Sequence, residues 1–91
     1  MTLSLDKLSV VLQDRGKTHG DFLVQSSVSN AIKAIIRSGP RPLISTHQEA
    51  LEMIAVKISR IVSGNPNEID HWLDIAGYAK LVSDIIERNK G

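Results

Sequence analysis

Thr46–Gly64 reads THQEALEMIAVKISRIVSG, and this stretch decides the fold. Its apolar residues Leu51, Ile54, Ala55, Ile58, Ile61 and Val62 recur at three- and four-residue spacing, which predicts a helix and not a strand. Thr46-His47-Gln48-Glu49 has the form of a capping box, in which the Thr hydroxyl and the Glu carboxylate satisfy free N–H groups at a helix start. Gly64 is placed to end the helix in a left-handed conformation. Met53 and Val56 lie on the opposite side among Glu49, Glu52 and Arg60. Such a helix has two contact surfaces, as a central bundle helix or a subunit interface requires.

Outward from it, the turn-forming stretches 15–20, 39–45 and 63–67 divide the chain into four helical segments. The first is predicted from about Ser4 to Asp14, with Leu5, Leu8, Val11 and Leu12 on one face. The second, from about Asp21 to Arg37, carries Val24, Val28, Ala31, Ile32, Ile35 and Ile36 on one side, with Asp21 as N-cap and Gly39-Pro40 as the stop. The fourth follows Asn65-Pro66, a cap with Pro at the first helical position, and continues to about Arg88. No segment alternates with period two. The expected fold is a single all-α domain over residues 1–91, a four-helix bundle.

Composition narrows the function. A chain of 91 residues buries roughly 60–65% of its unfolded surface. Its apolar content of 42% is mostly aliphatic, with Phe, Trp and Tyr once each, so partner subunits are expected to complete the core as a dimer or larger homo-oligomer. With no cysteine, disulfides, thiolate metal sites and a Cys nucleophile are excluded. A net charge of +1 argues against a nucleic-acid partner, and Lys33, Arg37 and Arg41 are too scattered for a helix-turn-helix footprint. No apolar run reaches the ~18–20 residues of a membrane span, and no signal-peptide pattern is visible, so a soluble intracellular protein is expected.

The anomalies lie in DHWLDIAGYAK, residues 70–80. On a wheel of ~100° per residue, Trp72, Ile75, Ala79, Val82 and Ile86 form the middle of the apolar arc, flanked by Tyr78, Leu81 and Ile85. Asp74 falls within that flank, with Asp70 one turn earlier. Asp74 is therefore expected to be at least half buried, compensated by a metal or by an ion pair with Lys57 or Arg60. Gly77 costs ~1 kcal/mol relative to Ala inside a helix, so something is expected to approach it closely. His71 is expected to be a hydrogen-bonded structural residue and Trp72 a core residue. Antiparallel packing of the third and fourth segments would leave the acidic pairs Glu49/Glu52 and Asp70/Asp74 offset by one to two turns. A shifted register or a second subunit would close that offset.

Gly16-Lys17-Thr18 mimics the end of a P-loop, but Val11 stands where that motif needs Gly and a helix precedes it. The loop with Lys17, Thr18, His19 and Asp21 is nonetheless dense in phosphate donors beside a helix N-terminus, and is expected to be a plain polar turn or a lid over a nucleotide.

Glu49-Ala-Leu-Glu52 followed by Asp70 and Asp74 resembles the paired acidic motifs of the all-α, MazG-like nucleoside triphosphate pyrophosphohydrolases. Where that group has GluXXAsp, this chain has His71-Trp72-Leu73-Asp74. The resemblance implies Mg²⁺ held by Glu49, Glu52, Asp70 and Asp74, with Glu49, Glu52 and Asp74 in the catalytic set. Lys17, His19, Lys57 and Arg60 would face the phosphates and Trp72 or Tyr78 the base of a nucleotide. Along its whole length, through RGKTHGDF (15–22), QEALEMI (48–54), KISRI (57–61) and DHWLDIAGYA (70–79), the chain is similar to small proteins of tailed phages and prophages. That likeness implies a cytoplasmic location in a bacterial host. It admits a second function, a non-enzymatic accessory protein that binds a host protein or sequesters a nucleotide.

Overall fold

Four helices follow one another in this computed structural model, which describes residues 5–90: α1 (Leu5–His19), α2 (Phe22–Arg37), α3 (Ser45–Ser63) and α4 (Ile69–Lys90). Among the described residues there is no strand, and the expected all-α domain is present. The expected start of the first helix at Ser4 lies outside the described residues.

Helix α3 is central. It packs against α2 on one side and α4 on the other, while α2 and α4 do not pack on each other; α1 lies across α3 and the adjoining part of α2. This accounts for the two contact surfaces of α3. Its buried residues are Ala50, Ala55 and Ser59, small side chains that let neighbouring helices come close.

Helix ends differ from expectation for local reasons. Helix α1 runs five residues beyond Asp14, so Lys17, Thr18 and His19 form its last turn and not a loop. Gly16 does not break it; Gly20, at φ 83°, does. Asp21 caps α2 as expected, its carboxylate accepting from the Leu23 N–H at 2.8 Å. The capping box of α3 does not form, because the helix begins at Ser45 and Thr46 is already inside it; the N-cap is Ile44, with no side-chain bond. Gly64 ends α3 at φ −122°, not in the left-handed region. Helix α4 begins three residues after Pro66, since Asn65 uses its side chain to accept from the Asn67 N–H and close a turn.

The buried faces are also rotated. Helix α2 buries Gln25 and Ser29, leaving Val24 52% and Ile35 71% exposed. Helix α4 buries His71, with Ile75, Tyr78, Val82 and Ile85 half-buried. Trp72 is therefore not a core residue: it is 54% exposed, its indole N–H donating to the Pro66 carbonyl at 2.8 Å. Among the described residues, Ala50 and Ala55 are the only apolar side chains fully buried. Among the described residues no helix is long and apolar enough to cross a membrane.

Candidate functional site

The ends of α1 and α3 meet glycine to glycine. A Cβ on Gly20 would strike the Ser63 carbonyl, and one on Gly64 would strike the Thr18 carbonyl. Only bare backbone fits there, and Gly20 also needs its positive φ. The contact leaves the Thr18 carbonyl accepting the Asn65 N–H at 3.0 Å and His71 Nε2 at 3.1 Å. A carbonyl can only accept, so Nε2 of His71 carries the proton. His71, 3% exposed, is thus the structural, hydrogen-bonded histidine its position predicted.

Around this joint the side chains of three helices converge. The His19 ring of α1 lies 5.1 Å from the His71 ring, tilted by 51°. Lys57 of α3, its side chain only 12% exposed, bonds Asp74 of α4 at 2.9 Å. Arg60, one turn further along α3, keeps its Nε buried without a partner. These residues line a cavity of about 330 Å³ with Thr18, Glu68 and Asp70. His19 and Arg60 also line a second cleft, about 770 Å³, which contains Leu12, Arg15, Phe22 and Gln25.

Cations and carboxylates both line this cavity, Lys57 and Arg60 beside Glu68, Asp70 and Asp74. Burial pushes the His19 imidazolium below its ordinary pKa, and Arg60, His71, Lys57 and Arg15 push it the same way. The hydrogen bond from Lys57 holds the Asp74 carboxyl below the usual range, reinforced by the nearby His71 and Arg60. Asp74, 47% exposed, is close to the half-burial expected, and its compensation is the ion pair.

The remaining residues singled out from sequence are dispersed. Glu52 sits between α2 and α3, held by Arg37 and Gln48, and the Arg37 hydrogen bond keeps its carboxyl low. Glu49 is exposed at the rim of a different cavity, with Thr46, Tyr78 and Leu81. Lys17 is exposed and faces Asp14 at 3.8 Å. Tyr78 borders the open surface of Gly77, where a Cβ would meet nothing within 4 Å; the close approach expected there is not made within the chain. His19, Lys57, Arg60, Asp70 and Asp74 are brought together; Glu49, Glu52, Lys17, Trp72 and Tyr78 are not.

The four carboxylates Glu49, Glu52, Asp70 and Asp74 are not gathered at one point within the chain. Glu52 and Asp74 already bond cations, and among the described residues no three His, Asp or Glu side chains are grouped to hold a metal. What sequence reasoning missed was the Gly20–Gly64 contact and the Arg37 partner of Glu52. A glycine at the end of each of two helices was the available signal for the first; the second had none.

Comparison with curated proteins and with solved structures found no match. One family, a domain of unknown function designated DUF6378, matches residues 5–86, from the start of α1 to the last turns of α4. The joint, the convergent cations, the first three helices and most of α4 lie within that match, and the chain belongs to the DUF6378 family.

Proposed function

We propose that this protein binds the phosphate groups of a nucleotide in the cavity between α1, α3 and α4, as a binding protein and not as a metal-dependent hydrolase. The observation that carries this reading is the convergence of His19, Lys57 and Arg60 on one cavity, with the Arg60 Nε buried and unpartnered. Burying a guanidinium N–H with no acceptor is costly, and a phosphate oxygen is the acceptor that suits it. His19, whose charged form is disfavoured first by burial and then by its cationic neighbours, would take up a proton more readily when an anion arrives. The adjoining cleft shares His19 and Arg60 and contains the exposed Phe22, an apolar ring on which a base could stack. Asp74, engaged by Lys57, favours binding over hydrolysis.

Calorimetric titration tests this with a nucleoside triphosphate, inorganic triphosphate and the bare nucleoside, each with and without Mg²⁺. The expected result is binding of both phosphate compounds without a metal requirement, weakened in Arg60→Gln and Lys57→Gln. Absence of heat with every triphosphate would end the proposal. Release of pyrophosphate only in the presence of Mg²⁺ would replace it with the pyrophosphohydrolase reading.

A further inference from the structure

A layer of three helices needs something on both of its sides. Here α1 covers part of one side, the side that holds the cavity. On the other side each helix leaves large apolar residues exposed: Val24 (52%) and Ile35 (71%) on α2, Leu51 (40%) and Val62 (64%) on α3, Trp72 (54%) and Ile86 (42%) on α4.

These six belong to one surface. On α2 and α4, at ~100° per residue, the exposed pairs lie about a quarter turn from the buried lines through Gln25/Ser29 and His71. On α3, Leu51 and Val62 fall between the line facing α2 and the line facing α4. Contacts between the end of α2 and the first half of α3, Arg37 with Glu52, make that pair antiparallel, and Lys57 with Asp74 together with Glu49 near Leu81 do the same for α3 and α4. With neighbours antiparallel, quarter turns of this sense emerge on the same side of the layer.

We infer that a second copy of this chain docks on this face, so that two three-helix layers stack and the apolar stripes of both become one core. Two quantities favour a second copy. At ordinary side-chain areas the six residues expose on the order of 600 Å², close to the roughly 800 Å² each partner contributes to a standard interface. The lone chain also has the proportions of an unfinished unit. Its radius of gyration is 15.9 Å, where a compact chain of this length has about 12 Å.

The chain has one tryptophan, and it lies on this face, so interface formation has its own reporter. Sedimentation equilibrium and acrylamide quenching of Trp72 are measured on the full chain, with Val62→Lys as the test variant and Asp14→Lys on α1 as the control. The expected result is a species of twice the chain mass with Trp72 shielded from quencher. Asp14→Lys keeps that mass, and Val62→Lys dissociates at least tenfold more readily. Should Val62→Lys fail to fold, the wild-type quenching decides. A helical wild-type species of single-chain mass at high micromolar concentration overturns the inference. So does a double-mass species in which Trp72 remains fully open to quencher.

Discussion

The ammonium of Lys57 on α3 lies 2.9 Å from a carboxylate oxygen of Asp74 on α4, with the lysine side chain nearly withdrawn from solvent and the aspartate half in it. The pair ties the two helices together and at the same time occupies the cation that the cavity would offer to a phosphate. These two roles can be separated. In Asp74→Asn the helix tie is weakened and Lys57 is released, so thermal stability is expected to fall while triphosphate affinity rises several-fold. Differential scanning fluorimetry and calorimetric titration on the same variant check both directions. A fall in both would mean that Asp74 itself contacts the ligand.

Glu52 should behave as a purely structural carboxylate. Its partners are Arg37 and Gln48, away from the cavity. Glu52→Gln is expected to lower the unfolding midpoint and leave phosphate binding unchanged. Because Arg37 holds the Glu52 carboxyl low, its stabilising contribution is present above the usual carboxylate range and is lost as pH falls through the depressed value. The difference in midpoint between wild type and variant should therefore shrink on acidification. A loss of binding in Glu52→Gln would restore this residue to the site.

The joint between α1 and α3 admits a sharper prediction. Gly20→Ala must place a side chain at φ 83° and against the Ser63 carbonyl. The backbone strain alone costs roughly 1–2 kcal/mol, and the collision adds to it. Urea unfolding should show a loss of at least about 2 kcal/mol. Gly16→Ala, which meets nothing within 4 Å and lies inside α1, is the contrast and should be neutral or stabilising.

The pH response follows from His19. Its folded pKa is depressed, so the unfolded chain takes up the proton first as pH falls below its ordinary 6.5. Stability is then lost through that window, and above it His19 contributes no pH dependence. Bound phosphate would draw the pKa back up. Triphosphate affinity is expected to increase as pH drops below 6.5, with proton uptake visible as a buffer-dependent enthalpy. His19→Gln should abolish the uptake and keep the fold.

The helices were legible because their signals are local. Asp21, the three- and four-residue apolar spacing and the punctuating turns act within a few residues of themselves. The faces were less legible. Apolar stripes on α2, α3 and α4 point to a core, and within one chain that core is not where the stripes lie: Gln25, Ser29, Ser59 and His71 are buried while Ile35, Val62 and Trp72 are exposed. A stripe records that a side will be covered, and it does not record whether the cover belongs to the same chain. The candidate site divided along the same line. The Lys57–Asp74 pair is one of the alternatives that helix phase and short connections left open for Asp74, whereas the Arg37–Glu52 pair depends on how far α2 slides along α3. Gly64 was read as a conformational need and proved to be a spatial one, which only the position of α1 reveals.

The Thr18 carbonyl carries a consequence for any survey of variants. The acceptor that joins α1 to the α3–α4 turn and orients His71 is a backbone oxygen, and no substitution at Thr18 removes it. A deep mutational scan would find Thr18 permissive and register the joint only through its neighbours, as intolerance at Gly20 and Gly64 and as a selective penalty for Asn65→Pro, which deletes the donor. The atom that fastens this joint is thus one that genetics can perceive only by its shadow.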